Sequence, residues 1–229
     1  MKPREQGVRR LFGRIAPHYD FLNTVISLGL HCGWRRRTIR LLAPRPGQLC
    51  LDLAAGTGDF ALRLARLGAQ PVALDMTPEM LAVARRRAPG LWIVAGDAFA
   101  LPFPDATFDC LTAGFAFRHA QEDLPLILAE LRRVLKPGGR CASLELSHPP
   151  RRWWRRLSDL YIQLLMPIVG GFVDRDAYQY LADSLHGYPD AEHLAALFRQ
   201  AGFGECSYEL FAGGVAAVHV ATVTPRREA

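Results

Sequence analysis

Residues 51–61, LDLAAGTGDFA, run from an apolar stretch through two glycines one residue apart into a segment with helical spacing. A strand that turns sharply on glycine and continues as a helix is the opening unit of a strand–helix–strand crossover, which restricts the chain to few folds. The same order recurs downstream. PVALD (71–75) reads as a strand, and TPEMLAVARRRA as a helix with Thr77 at its N-cap and Pro78 at its first position. LWIVAGD, TFDCLTAGFA and RCASLEL read as further strands, with the helix DLPLILAELRRVL and the turn KPGG between the last two. Repeated crossovers of this length give an α/β fold whose parallel sheet is covered on both faces. Such sheets bind ligands at the carboxyl ends of their strands.

The flanking segments divide a single expected domain. Residues 1–45 form an N-terminal helical extension, with helical spacing in VRRLFGRIA and GWRRRTIRLLA. Residues 46–148 carry the alternating core, and 149–189 interrupt it with two helix-like pieces, an insertion or lid. Residues 190–229 supply a last helix and two strands, which brings the sheet to seven.

Composition narrows the setting. No run approaches 18 uncharged apolar residues, and the N-terminus lacks a signal-like apolar stretch, so a cytoplasmic protein is expected. The five cysteines show no metal-ligand spacing and three sit in apolar strand-like runs, which reads as reduced core thiols with no metal site. The formal charge of +6 gathers in WRRRTIR, ARRRA and RRWWRR, but no recognition module for nucleic acid accompanies it.

Gly56, Gly58 and Ala61 satisfy a dinucleotide fingerprint, so NAD has to be weighed. Asp59 argues against it, because a carboxylate at the helix N-terminus repels a pyrophosphate. S-adenosylmethionine, a phosphate-free nucleoside with a sulfonium and an ammonium, meets the opposite situation. Asp52, Gly56 and Gly58 suit its methionine end, and Asp75 suits the ribose hydroxyls. Asp97 can accept from the adenine amino group, Ala98 can offer its N–H to the ring, and Met76 can cover a face of the base. Three acids ending three successive strands favour S-adenosylmethionine, with NAD as the alternative.

At this point the sequence resembles class I methyltransferases, and more narrowly the C-methyltransferases of menaquinone and ubiquinone biosynthesis. FGRIAPHYDFLN, GLHCGWRR, LDLAAGTGD, ALPFPDATFDCLTAGFAFRHA, LKPGGRCASLELSHP, YQYLADSL and AGGVAAVHVA carry the likeness. It implies a Rossmann-like, seven-stranded, mostly parallel sheet and methylation of a ring carbon on a demethylated polyprenyl quinol, demethylmenaquinol ahead of a ubiquinone precursor. Another small-molecule acceptor is the alternative. Family cofactor contacts fall on Thr57, Asp75, Asp97 and Ala98. The chain departs from the family pattern at Gly114, commonly Ser on the cofactor side, at His119, commonly Asn, and at Val220, often Arg.

A hydroquinone carbon becomes nucleophilic when its neighbouring hydroxyl loses a proton. Arg118 and His119, just past the fourth strand, are the catalytic candidates: Arg118 to orient or stabilise the phenolate, His119 to receive the proton. Tyr19, Asp20, Tyr178 and Tyr180 are the candidate substrate contacts. His219, in a strand-like run, reads as a core histidine. The arginine-flanked apolar surface of residues 151–170 is expected either to touch the membrane that holds the quinol or to pack as a lid. A second copy of the chain is the remaining expected partner.

Overall fold

A computed structural model describes residues 3–172, 184 and 187–224. Helices α1 (Pro3–Ile15), α2 (Tyr19–Ile26) and α3 (Leu30–Leu42) precede the sheet. The core follows as β1 (Leu49–Leu53), α4 (Asp59–Arg66), β2 (Gln70–Asp75), α5 (Pro78–Arg87), β3 (Trp92–Ala95), β4 (Phe108–Gly114), α6 (Leu124–Val134) and β5 (Leu135–Leu146). Then come α7 (Arg152–Phe172), α8 (Ala191–Gln200), β6 (Phe203–Phe211) and β7 (Ala216–Val223).

The seven strands lie in the order β3-β2-β1-β4-β5-β7-β6, with β7 antiparallel to both neighbours and the other pairings parallel. Strand order reverses at β1, so the crevice between the carboxyl ends of β1 and β4 is the binding position of this architecture. The KPGG turn is absorbed into β5 as a bulge: Phe108 pairs with Leu135, but Cys110 already pairs with Arg140.

Each sheet face has its own core. Leu128, Leu131 and Phe198, from α6 and α8, cover one side with Leu51, Leu111 and Phe203. Trp34, Leu42, Phe60 and Leu64, from α3 and α4, cover the other. A third cluster, Leu11, Ile15, Leu22 and Met80, packs α1 and α2 onto α5, so the N-terminal helices reach the rim of the sheet. The Arg140 guanidinium donates to the carbonyls of Leu41 and Leu42, closing the C-terminus of α3 against β5. Asp190 caps α8 by accepting from His193 N at 2.9 Å.

The expectation of reduced thiols needs one correction. Cys50 and Cys110 form a disulfide, because parallel pairing of β1 with β4 sets them directly opposite. Cys32, Cys141 and Cys206 are free. Among the described residues no helix is long and apolar enough to cross a membrane, and no group of three or more His, Cys, Asp or Glu is arranged to hold a metal.

Candidate functional site

A cleft of about 1080 Å³, counted with its open mouth, lies over the carboxyl ends of β1, β2 and β4. Its floor is two backbone turns in which residues other than glycine take positive φ: Ala54 at 49° after β1 and Phe115 at 57° after β4. Such strain in non-glycine residues gathers at functional sites. Val8, Phe12 and Tyr19 close the cleft from the N-terminal helices.

Of the residues singled out from the sequence, Tyr19, Gly56, Asp75, Met76, Asp97, Ala98, Gly114 and His119 line this cleft. Asp75 is buried; one carboxylate oxygen accepts from Gly56 N and the other from Thr77 N, each at 2.8 Å. Burial raises its pKa and these hydrogen bonds offset part of that rise. Each oxygen still has a lone pair, so two vicinal hydroxyls can be accepted. Thr77 stands at the N-cap of α5, but its hydroxyl makes no capping bond and turns to Asp75 instead. Asp97 accepts from Phe99 N at 3.0 Å, which fixes the turn that presents Ala98.

Others are placed away from the cleft. Asp52 is buried beneath the glycine turn, accepting from Ala61 N and from the Thr112 hydroxyl, each at 2.9 Å. Burial pushes its carboxyl up to about 7. It fastens α4 to β1 and β4 and does not reach the cleft wall. Thr57 donates its hydroxyl to Asp20 at 2.7 Å, and Asp20 also pairs with Arg87 at 2.9 Å. Both hold α2 against the glycine turn and are absent from the cleft lining. Gly58, at φ +83°, allows α5 to approach: a Cβ there would stand 3.1 Å from that of Ala84. Arg118 is buried behind the wall that Ala116, Phe117, His119 and Ala120 form. His119 meets the Phe12 ring edge-on at 5.1 Å. Tyr178 and Tyr180 lie outside the described residues.

Asp59 also behaves differently from the sequence argument. Its carboxylate is bound by Arg35 at 3.0 Å and Arg87 at 2.9 Å, so its charge is compensated before it can repel a ligand. The cleft itself discriminates better. Among its described lining residues are Asp75, Asp97 and Asp123 and no lysine or arginine. A pyrophosphate would enter with no cation to meet it, whereas a cationic, phosphate-free nucleoside fits these donors and acceptors.

His219 is a core histidine, its Nε2 2.8 Å from the carbonyl of Ala191 and its pKa lowered to about 4 by burial. Sequence reasoning passed over Val8, Phe12 and Phe99, which line the cleft, and Glu145, an acid inside the apolar run LEL that is buried against the cleft wall. The signal for Glu145 was present, since an acid on a central strand requires partners.

The model of the ubiE/COQ5 methyltransferase family matches residues 1–223. The chain is 44% identical over 218 residues to demethylmenaquinone methyltransferase of Thermus thermophilus, covering 92% of this chain and 98% of that protein. It is 43% identical over 222 residues to the ubiquinone/menaquinone biosynthesis C-methyltransferase UbiE of Paracoccus denitrificans, covering 93% and 88%. Among solved structures, an S-adenosylmethionine-dependent methyltransferase of Thermotoga maritima has the same fold, at TM-score 0.67 and 20% identity over 93% of this chain and 98% of that one. Phosphoethanolamine N-methyltransferase 2 of Haemonchus contortus, solved with S-adenosyl-L-methionine, gives TM-score 0.62 and 17% identity over 85% and 53%. The chain belongs to the ubiE/COQ5 methyltransferase family, and its chemistry is S-adenosylmethionine-dependent methyl transfer.

Proposed function

We propose that this methyltransferase acts in quinone biosynthesis as a C-methyltransferase, converting demethylmenaquinol to menaquinol by methylating its ring. The observation that carries the reading is the cleft: acids on the β2 and β3 side, no lysine or arginine among its described lining, and an aromatic wall at the end of β4. The acceptors named for the relatives supply the substrate class.

S-adenosylmethionine supplies a methyl group on a positively charged sulfur. Asp75 accepts from the ribose hydroxyls, Asp97 from the adenine amino group, and Ala98 N–H and Met76 hold the base. Gly56 lets the backbone approach the methionine end, while Asp52, Thr57 and Gly58 keep the turn in place. Gly114, at the end of β4, lines the part of the cleft where the methyl group is passed. On the acceptor side Tyr19 covers the ring, Arg118 lends positive charge toward the phenolate, and His119 receives the proton that the ring carbon releases. Asp20, bonded to Thr57, holds α2 and with it Tyr19 over the acceptor.

The exposed face of α7 supports membrane contact through residues 151–170. Trp153, Leu157, Leu160 and Leu164 recur along one stripe of the helix, and Tyr161 hydrogen-bonds the carbonyl of Ile26 at 3.2 Å. That contact ties α7 to the end of α2, whose Phe21 is exposed, as are Leu28 and Leu30 that follow it. A peripheral position at the inner face of the membrane gives access to a polyprenyl substrate, and a second copy of the chain is the remaining proposed partner.

The test is an assay with methyl-labelled cofactor and demethylated naphthohydroquinones, phenols and amines in parallel, with products identified by mass spectrometry. Label on a naphthohydroquinone ring carbon is expected. Faster labelling of a phenol oxygen or an amine overturns the reading.

A further inference from the structure

Three buried polar atoms behind the cleft wall have no hydrogen-bond partner among the described residues: Nε of Arg118, Oε2 of Glu145 and the hydroxyl of Tyr188. Their residues are 7%, 1% and 4% exposed, so bulk water does not satisfy them. Buried polar atoms are nearly always paired, because leaving one unmet is costly. The three are electrostatic neighbours: Arg118 lowers the pKa of Glu145, and both charges act on the Tyr188 phenol.

Their donor and acceptor characters are complementary to one hydroxylic oxygen. The Arg118 Nε–H and the Tyr188 O–H donate, and Glu145 Oε2 accepts. A hydroxyl or a water offers lone pairs to the first two and a proton to the third. The second oxygen of Glu145 is already spent, accepting from Ala116 N at 2.8 Å and Phe117 N at 3.0 Å, and both those residues line the cleft. The trio is therefore attached to the cleft wall at the end of β4.

We infer that Arg118, Glu145 and Tyr188 form a hydroxyl-binding site on the acceptor side of the cleft, holding the acceptor's ring oxygen or a water bonded to it, with Glu145 taking the hydroxyl proton. The site rests on the methyl-transfer reading above. The O–H bond breaks, the proton passes to Glu145 directly or through the held water, and the electron pair stays with the ring. Methylation at carbon then releases that carbon's hydrogen as a proton to His119, and Glu145 returns its own proton to the oxygen. One proton is lost in all and no electrons are gained or lost.

Burial pushes the Glu145 carboxyl up to about 7, so it gains and loses a proton near neutrality. Arg118, from the turn after β4, opposes that rise, and Tyr188 faces it from the segment before α8. Past the end of β5, His148 bonds the Tyr188 backbone and has its own pKa lowered by burial. His219 stands on β7 opposite Ser143, two residues before Glu145 on β5, and is neutral at this pH. Activity requiring ionised Glu145 rises with pH through about 7 and is lost below it.

The variants are Glu145→Gln, which keeps an oxygen for Ala116 N and Phe117 N, and Tyr188→Phe, which removes only the hydroxyl. With a short-tailed demethylated naphthohydroquinone, Glu145→Gln is expected to lose tenfold or more in kcat together with the pH rise, while cofactor affinity by calorimetry stays unchanged. Tyr188→Phe is expected to lower kcat severalfold and move the midpoint upward. Wild-type kcat and pH profile in both variants overturn the inference. If Glu145→Gln does not fold, Tyr188→Phe decides. An infrared carboxyl band that titrates near neutrality, vanishes in Glu145→Gln and shifts in Tyr188→Phe reads the trio without turnover. Failure of the quinol assay with that band present therefore falls on the substrate reading alone, and absence of the band falls on the trio. An acceptor lacking the hydroxyl separates the two sources. It binds wild type and Tyr188→Phe equally if the ring oxygen occupies the site, and keeps the Tyr188→Phe deficit if water does.

Discussion

Gly114 and Phe60 have to be read as one unit. A Cβ on residue 114 would stand 2.6 Å from Cε2 of the Phe60 ring, so the serine common at this position in the family has no room here. Gly114→Ser is expected to cost about 1–3 kcal/mol, the ordinary range for overpacking a filled core. A urea midpoint reads the loss, and Phe60→Leu in the same chain is expected to recover more than half of it. Additive single and double variants would show that the two positions do not compete. The sequence shows a departure at 114 but not its reason, because Phe60 lies 54 residues away on another element. Asp52 and Asp75 teach the same lesson. Both are acids at strand ends, yet one is spent inside on Ala61 and Thr112 while the other stands in the cleft. Residue type and spacing cannot tell an inward carboxylate from a ligand-facing one; the strand's register decides.

Helices α1 and α2 reach the cleft through packing and a small polar latch. Val8, Phe12 and Tyr19 form its near wall, and Asp20 ties that wall to Thr57 and Arg87. Arg87 and Asp20 are partly exposed, so the ion pair is worth about 0.2–1 kcal/mol at most. Asp20→Ala is therefore expected to release bound S-adenosylmethionine about two- to fivefold faster, with earlier amide exchange in residues 3–26, and to leave the global unfolding midpoint nearly unchanged. An unchanged release rate would confine Asp20 to surface packing. The strands and helices of the core were legible because apolar runs, glycines and Pro78 punctuate them at the period each element needs. The roof over the cleft was not, since α1 is amphipathic and basic in sequence and only its docking on α5 brings Phe12 against His119. Glu145 was legible only as an anomaly in LEL, since its partners come from residues 116–118 and 188.

At the scale of the whole molecule the charge and the apolar surface coincide. Arg151, Arg152, Arg155 and Arg156 flank the start of the α7 stripe, where Trp153 and Leu164 are 62% and 61% exposed. A basic rim beside an apolar face favours an anionic lipid surface. Flotation with vesicles containing anionic lipid is expected to carry the wild type, to weaken as salt rises, and to fail for Leu157→Glu/Leu164→Glu, whose fold is checked by its thermal midpoint. Equal flotation of the double variant would assign the stripe to packing within the protein.

The Cys50–Cys110 bond joins β1 to β4 and thereby encloses β1, α4, β2, α5 and β3, the stretch that carries Asp75, Met76, Asp97 and Ala98. A single protease cut within residues 51–109 would open this ring without freeing a fragment. The cleaved chain should migrate as one species until a reductant is added, and only then separate into two pieces. Nicked enzyme can thus keep Asp75, Met76, Asp97 and Ala98 covalently moored to β4, whichever side of them the cut falls.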